Sequence, residues 1–251
     1  MIVEFTGCTA SGKTTLVAKV IERLCYHGPE TITPVEFLMR PFGLKPFANP
    51  TLQNIILDVL LLPLLIISLR KNFKLYVFLL KTLFRKPDSF LGAVNRCRSV
   101  IRKMVINEVL VKHSQNGQVV IVDEGVIHSA HNIFVYSDFP ILSKDIKTFS
   151  DSVPLPDLLV CVNAPKDTIL NRTLSRKELR QVFEPKNKMK EYIERAFFTF
   201  EKLCSTDKIK QRLLVVDLHD DSKEELSKQA DKVVRFILEN PRIQKTKITV
   251  K

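Results

Sequence analysis

The chain has 251 residues, of which 45% are hydrophobic and 26% are charged, as in ordinary folded domains. This length and composition exclude a disordered segment, a collagen-like repeat and a small disulfide scaffold. The 39 Lys and Arg residues outnumber the 27 Asp and Glu residues, and the formal net charge of +12 indicates an anionic partner. Nucleotide phosphates, nucleic acid and an acidic membrane surface are open alternatives, although no motif of RNA or DNA binding is present.

Cysteine usage and the N-terminus bear on the compartment. The five cysteines are scattered and no two have C-x-x-C spacing, which argues against a disulfide framework or a structural zinc site and fits a reducing compartment. The residues after Met1 show neither the basic segment nor the cleavage site of a signal peptide. We therefore expect a cytoplasmic protein.

The N-terminal segment predicts a strand, a loop and a helix in that order. Ile2–Thr6 is a short apolar run, and after a glycine-bearing turn Leu16, Val20 and Leu24 recur at helical spacing. Residues 35–39 form a second, shorter β candidate.

The next segment is unusually apolar. Residues 52–69 contain one charged residue, Asp58, and one proline, Pro63. The charged residues in 73–84 are Lys74 and Lys81. A membrane span needs about 20 apolar residues without charge, so we expect no transmembrane helix. The alternatives are two helices that pack on the domain or on a second copy of the chain, and an interfacial hairpin on anionic lipids. The cations that would suit such lipids are Arg70, Lys71, Lys74, Lys81, Arg85 and Lys86.

Three further apolar runs, at residues 118–123, 158–162 and 213–216, are separated by helical patterns. Strands separated by helices predict an α/β fold, a five-stranded parallel sheet flanked by helices. In such sheets ligands bind beyond the carboxyl ends of the strands. The predicted strand ends are Thr6, Met39, Asp123, Val162 and Val216.

A phosphate-binding loop lies between the first strand and the first helix. Gly7-Cys-Thr-Ala-Ser-Gly-Lys-Thr14 matches the pattern G-x-x-x-x-G-K-[ST] in its required strand-to-helix context. Its glycines let backbone N–H groups face a phosphate, while the helix N-terminus and Lys13 supply positive charge. The predicted ATP-binding residues are Gly7, Cys8, Thr9, Ala10, Ser11, Gly12, Lys13, Thr14 and Thr15.

Two adjacent carboxylates end the strand at residues 118–123. Asp123 is placed to reach Mg²⁺ together with the hydroxyl of Thr14, which makes these two residues the predicted metal ligands. Glu124 is a candidate base for an acceptor hydroxyl. The alternatives are a strand-end Asp that caps the next turn and a solvated loop acid.

These residues resemble the P-loop kinases of the nucleoside and nucleotide kinase group, and thymidylate kinases in particular. The resemblance covers most of the chain and is strongest at residues 7–14. It implies a P-loop fold with a helical lid, and the apolar helical insertion after Phe42 is a departure from the family. It also implies ATP and Mg²⁺ as cofactors and transfer of the γ-phosphoryl group to a small-molecule acceptor.

The resemblance extends to acceptor-binding arginines. The segment Arg40-Pro-Phe-Gly43 resembles the Arg-Glu-Pro-Gly segment that contacts the acceptor in this family. Arg96 and Arg98, on a predicted helix, lie where the family has an arginine for the acceptor phosphate. A solvated basic helix face is the alternative for this pair.

Residues 171–177 resemble the arginine-bearing lid of the family, which implies that Arg172 and Arg176 close over the transferred phosphoryl group. Arg180 continues the same helical spacing of four residues. The chain departs from the family pattern at the end of the strand at 118–123, where Asp123-Glu-Gly125 stands in place of the family's Asp-Arg-aromatic. An acid thus replaces an arginine that helps to hold the acceptor.

The sequence therefore predicts one kinase domain over residues 1–240, with the insertion at 44–95, the lid at 170–190 and a basic tail at 241–251. The first hypothesis is an ATP-dependent kinase of the nucleotide-kinase type. The alternative is a membrane-associated kinase that acts on a sugar, a glycolipid or a lipid-linked glycan. A hypothesis of another class is a nucleotide-dependent regulatory switch that transfers phosphate to water. A homodimer is compatible with each.

Overall fold

The structure is a computed structural model, and it describes residues 1–27, 29–47, 49–85, 89–114, 117–136, 139–175, 186–220, 222–241 and 243. The strands are β1 (Ile2–Thr6), β2 (Glu30–Ile32), β3 (Gln118–Asp123), β4 (Leu158–Asn163) and β5 (Leu213–Asp217). The helices are α1 (Lys13–His27), α2 (Pro34–Met39), α3 (Pro50–Lys71), α4 (Phe73–Leu83), α5 (Phe90–His113), α6 (Ser143–Ser152), α7 (Lys166–Ser175), α8 (Lys186–Cys204), α9 (Asp207–Lys210) and α10 (Lys223–Leu238).

The five strands form one parallel sheet in the order β2-β3-β1-β4-β5. Strand β1 lies between β3 and β4 and is buried along its whole length. Burial on both faces explains why β1 and β4 are continuous apolar runs without alternation. The α/β fold class and the five-stranded parallel sheet predicted from the sequence are confirmed.

The β candidate at residues 35–39 is wrong, because this run is helix α2. Thr33 accepts a hydrogen bond from the backbone N–H of Glu36, and the Glu36 carboxylate accepts one from the backbone N–H of Thr33. This reciprocal cap starts a helix, and Pro34 occupies its first turn, where a proline is tolerated. Strand β2 instead ends at Ile32, so Met39 is not a strand end.

Helices cover both faces of the sheet. On one face α1 and α10 pack together, with Leu16, Val20 and Val233 fully buried against β1 and β4. On the other face α4, α5 and α8 surround a π-helical segment at His131–Val135. These layers hold the carboxyl ends of the strands in a fixed frame.

The predicted insertion consists of α3 and α4, which lie on α5. Leu57 and Leu61 of α3 are 3% and 5% exposed. The buried hydroxyl of Ser68 lies 2.6 Å from the hydroxyl of Tyr76 and donates to Glu108 at 2.7 Å. One described helix, Thr51–Lys71, is long and apolar enough to cross a membrane, as judged by length and composition alone. Only 17% of its most apolar stretch is buried in the fold.

We expect the α4 core contact to be worth several kcal/mol. Leu79 is 1% exposed, whereas its neighbour Leu80 is 45% exposed. Leu79→Ala should lower the free energy of unfolding by about 2–5 kcal/mol, because it leaves a cavity in a close-packed core. Leu80→Ala, as the control, should change it by less than about 0.5 kcal/mol in urea denaturation. Equal losses in the two variants would contradict this packing.

Candidate active site

The loop between β1 and α1 has an unusual backbone. Gly7, Ala10 and Gly12 have φ values of +133°, +62° and +94°, which lie in or beyond the left-handed region. A Cβ atom on Gly7 would lie 2.2 Å from the carbonyl oxygen of Val162 at the end of β4, so only glycine fits there. The chain therefore turns sharply after β1 and opens directly into α1.

Lys13, the first residue of α1, lies inside this loop. Its side chain is 4% exposed, and its amino group donates to the carbonyl oxygens of Gly7 at 3.2 Å and Cys8 at 2.8 Å. A carboxylate oxygen of Glu124 lies 3.3 Å from the same nitrogen. A positive charge is thus held at the centre of the loop, where a phosphate would accept its hydrogen bonds.

Thr14 and Asp123 meet across neighbouring strands. The Thr14 hydroxyl donates to a carboxylate oxygen of Asp123 at 3.0 Å. The contact follows from the sheet order, because β1 pairs with β3 and Phe5 is opposite Asp123. The protein around the Asp123 carboxyl partly desolvates it, and this effect and the charge of Glu124 raise its pKa above the ordinary value.

Glu124 has a strained backbone that directs its side chain into the site. Its φ of +61° is rare for a residue other than glycine. Its carboxylate contacts Lys13 and lies 3.4 Å from a ring nitrogen of His128. The carboxyl remains 45% exposed, so it is open to a bound molecule.

Glu4 is a buried carboxylic acid that sequence reasoning did not identify as part of the site. It is 1% exposed in β1 and accepts a hydrogen bond from the backbone N–H of His128 at 2.8 Å. A Cβ atom on Gly125 would lie 2.7 Å from its carboxyl group, so the chain after Glu124 passes directly over Glu4. Burial raises the pKa of Glu4 to about 7. An isolated acid within an apolar strand was the available signal.

A buried polar network supports the loop from the side of α8. The Thr9 hydroxyl lies 3.3 Å from a ring nitrogen of His131 and 3.2 Å from the hydroxyl of Tyr192. His128 and His131 stack with ring centres 5.3 Å apart. Burial lowers the pKa of His131 to about 3 and that of His128 well below its usual value, so both rings are neutral at physiological pH. They hold the loop by hydrogen bonds rather than by charge.

Arg172 in α7 reaches the loop. Its guanidinium donates to the carbonyl oxygen of Ala10 at 3.1 Å. The partner predicted for it, Arg176, and the third arginine of that series, Arg180, lie outside the described residues. Within the described residues, α7 therefore brings one of the predicted arginines to the phosphate loop.

The structure separates the three arginines that the resemblance assigns to the acceptor. Arg40 pairs with Glu30 at the amino end of β2, and it lines a cavity of about 690 Å³ at the edge of the sheet opposite the phosphate loop. The structure therefore does not bring Arg40 to the site, because the strand before it ends earlier than expected. Arg98 pairs with Asp58 of α3 and is half exposed.

Arg96 lies nearer to the loop. Its guanidinium carbon is 5.9 Å from the ring centre of Tyr136. The Tyr136 hydroxyl accepts from Tyr192, which contacts Thr9 in turn. Arg96 is thus linked to the loop through two tyrosines.

A cleft opens beside the two carboxylates. Its volume is about 280 Å³, and it lies between α1, α2, α3, α5 and the end of β3. The polar residues that line it are Thr33, Gln53, Asn54, Arg102, Lys103, Asn107, Asp123 and Glu124. Burial lowers the pKa of Lys103, although the charges of Glu124 and Glu4 raise it. The sequence places Lys103 on a predicted helix but does not show which other element this lysine faces, so Lys103 was not predicted as a site residue.

The donor groups present fit a magnesium nucleotide. Thr14 and Asp123 offer a hydroxyl and a carboxylate oxygen 3.0 Å apart, the hard donors that Mg²⁺ prefers. Ser11 is fully buried in the loop, and its hydroxyl has no hydrogen-bond partner among the described residues. Such a hydroxyl fits a phosphate oxygen. In the described ranges, no group of three or more His, Cys, Asp or Glu residues is arranged to hold a metal ion.

We expect Glu4 to make stability depend on pH. Its pKa rises from 4.5 to about 7 on folding, so the folded chain holds the proton more tightly than the unfolded chain does. This contribution, about 3 kcal/mol, is present below about pH 4.5 and is lost as the pH rises to about 7.

Urea unfolding across this pH range should show a decline in stability for the wild type that is much smaller in Glu4→Gln. Glu22→Gln changes an exposed acid on α1 and should keep the wild-type slope. The same slope in all three proteins would contradict a raised Glu4 pKa.

Three solved structures similar to the chain are kinases. Thymidylate kinase from Ehrlichia chaffeensis has a TM-score of 0.50 at 14% identity, over 94% of this chain and 98% of that chain. Shikimate kinase from Acinetobacter baumannii in complex with shikimate has a TM-score of 0.42 at 14% identity, over 96% and 94% of the two chains. Shikimate kinase from Bacteroides thetaiotaomicron has a TM-score of 0.40 at 12% identity, over 96% and 99%.

No protein-family model matches the chain, and no curated protein matches its sequence. The likeness to thymidylate kinase nevertheless extends over nearly the whole of both chains. It agrees with the five-stranded parallel sheet and the glycine-bearing loop between β1 and α1. The chain therefore has the P-loop fold found in nucleotide kinases.

Proposed function

We propose that the protein is an ATP-dependent kinase that transfers the γ-phosphoryl group to a small molecule bound in the cleft beside Asp123 and Glu124. The observation that carries this proposal is the convergence of two sites. Lys13 and the Thr14–Asp123 pair lie at the phosphate loop, and the cleft opens on the same two carboxylates. A donor and an acceptor bound at these sites would meet at residues 123–124.

The phosphate loop would bind the nucleotide. Backbone N–H groups at the start of α1 and the Ser11 hydroxyl offer hydrogen bonds to phosphate oxygens, and Lys13 would exchange its carbonyl partners for them. Thr14 and Asp123 would hold Mg²⁺, which neutralises charge on the phosphates when bound. Arg172, which already contacts the loop at Ala10, would neutralise charge on the group in transfer. Arg176 is proposed for the same role from the resemblance alone.

Glu124 would act on the acceptor side. Its carboxylate is exposed and lies next to the cleft, so it is placed to accept the proton of an acceptor hydroxyl. Burial, and after it the charge of Glu124, raise the pKa of Asp123, the neighbour of Glu124 at the proposed point of transfer. A nucleotide-kinase reaction would use an acceptor phosphate, whose oxygen needs no base. A sugar hydroxyl, as part of a sugar or lipid-linked glycan, is therefore the second candidate acceptor, and Glu124 favours it.

Lys103 and Arg102 give the cleft its positive charge. Arg102 forms an ion pair with Asp58 at 3.3 Å, whereas no ion pair is formed by Lys103 within the described residues and the charges of Glu124 and Glu4 raise its pKa. An acceptor with its own anionic group would meet Lys103 directly. We therefore expect an anionic acceptor, with nucleoside monophosphates and sugar phosphates as the first compounds to test.

The decisive experiment is an acceptor screen with labelled ATP over nucleoside monophosphates, nucleosides, sugars, sugar phosphates and lipid-linked sugars. A kinase should transfer label to one of these classes. ATP hydrolysis that is unchanged by every acceptor would instead favour the regulatory switch. Label on the phosphate of a nucleoside monophosphate would indicate the nucleotide-kinase reaction. Label on the hydroxyl of a sugar would indicate the second candidate.

We expect the loop and the strand-end acid to be essential to turnover. Lys13→Ala and Asp123→Ala should each lower kcat by about 100-fold or more, because each removes charge stabilisation of the transferred group. Lys19→Ala, on the exposed face of the same helix, is the matched control and should keep wild-type activity. Near-normal turnover in either site variant would refute the mechanism.

Lys103 should affect the acceptor rather than the nucleotide. Loss of a charge-assisted hydrogen bond costs about 1.5–3 kcal/mol, which corresponds to a rise of about tenfold to a hundredfold in acceptor KM. Lys103→Met should show this rise with an unchanged KM for ATP. Lys112→Met changes an exposed lysine on the same helix and should alter neither. A rise in the KM for ATP instead would place Lys103 on the nucleotide side.

A further inference from the structure

Helix α3 has a continuous apolar stripe on its outer surface. The stripe residues follow one another at intervals of three and four, so they share one face of the helix. They are Leu52, Ile55, Val59, Leu62, Ile66 and Leu69, with exposed fractions of 45%, 48%, 67%, 59%, 55% and 37%. A stripe of this kind is uncommon on a surface that faces only water.

The opposite face of α3 is fixed on the domain. Leu57 and Leu61 are buried there, and Ser68 contacts Tyr76 and Glu108. Helix α3 therefore cannot turn its stripe inward without breaking these contacts. The stripe is a permanent outer surface of the fold.

The stripe ends in a region of unbalanced positive charge. No Asp or Glu occurs between residues 59 and 85. The cations in this stretch are Arg70, Lys71 and Lys74, where α3 ends and α4 begins, followed by Lys81 and Arg85 at the far end of α4. Within the described part of the chain, no carboxylate forms an ion pair with the first four of them. These charges are available to an external anion.

We propose that the α3 stripe and the cations at its end dock the protein on an anionic membrane surface. Apolar side chains of such a helix enter the boundary between head groups and acyl chains, while Lys and Arg contact anionic head groups. The proposal is independent of the proposed kinase activity, because the docking surface includes none of the groups at the phosphate loop.

The polar contacts of α3 favour an interfacial position over a membrane span. Asp58 pairs with Arg98 and Arg102 on α5, and Ser68 donates to Glu108 at 2.7 Å. A spanning helix would carry Asp58 into hydrocarbon or pull it from these partners, and both are costly. With the helix lying flat, these contacts stay intact on the protein side.

Charge also favours a membrane over a second copy of the chain. The only acid in α3 and α4 is Asp58, and it is already paired with Arg98. Two copies joined through the stripe would therefore bring cations to a surface that offers no free carboxylate. An anionic lipid surface supplies the missing complement.

Vesicle flotation tests the proposal with the full chain and no nucleotide. The protein should float with vesicles of phosphatidylcholine and phosphatidylserine and remain below vesicles of phosphatidylcholine alone. Added salt should weaken the binding. The double variant Lys71→Glu/Lys74→Glu should bind anionic vesicles about tenfold more weakly or worse, since each cation near the surface contributes measurably. Lys223→Glu/Lys228→Glu makes the same charge change on exposed residues of α10 and should float as the wild type does.

A second variant tests the apolar part of the surface. Val59→Gln/Ile66→Gln replaces exposed side chains, so the fold should persist in circular dichroism while flotation is lost. Lys13→Ala should float normally, which separates docking from kinase activity. The proposal would be overturned if the wild type floated with neither kind of vesicle. It would also be overturned if the protein floated equally well with anionic and with phosphatidylcholine vesicles. A dimer in sedimentation equilibrium that Val59→Gln/Ile66→Gln dissociates, without flotation of the wild type, would assign the stripe to a second copy instead.

Discussion

The parallel pairing of β1 with β3 is the constraint on which the candidate site depends. With Phe5 opposite Asp123, the phosphate loop that follows β1 and the carboxylates that follow β3 leave the sheet side by side. The hydrogen bond from Thr14 to Asp123 and the ion pair of Lys13 with Glu124 both result from this adjacency. A strand inserted between β1 and β3 would separate the loop from its acids.

Burial gives this adjacency its electrostatic character. Glu4 lies within β1 beneath the segment that carries Glu124 and is 1% exposed, and burial at that depth raises its pKa. Lys13 and Lys103 act on the carboxylates from two different elements, the start of α1 and helix α5. Carboxylates and amino groups therefore lie next to one another in a partly buried site. The protonation state of each depends on the charges of its neighbours.

The sequence predicted those parts that local patterns determine. The loop, the apolar strands and the acids at 123–124 are encoded within short windows, and the structure has a loop and strands at these positions. The second strand was misplaced, because the reciprocal cap of Thr33 and Glu36 turns an apolar run into a helix. The expected position of Arg40 depended on that strand and moved with it.

The remaining differences depend on long-range contacts. Arg98 pairs with Asp58, which is 40 residues earlier in the chain, and no helical spacing reveals such a partner. Lys103 belongs to the cleft only because α5 packs where β3 ends. The network of Thr9, His131 and Tyr192 joins three distant segments, so the sequence did not reveal that His131 and Tyr192 contact the predicted loop residue Thr9.

The contact between Gly125 and Glu4 limits how this scaffold can change its selectivity. A side chain at position 125 would collide with the buried carboxyl, so the floor of the cleft cannot be reshaped there. A change in the compound that binds would therefore have to come from the walls of the cleft, which include the half-buried Gln53 and Asn54 of α3. An engineer seeking new specificity would begin with those amides and leave the glycine untouched.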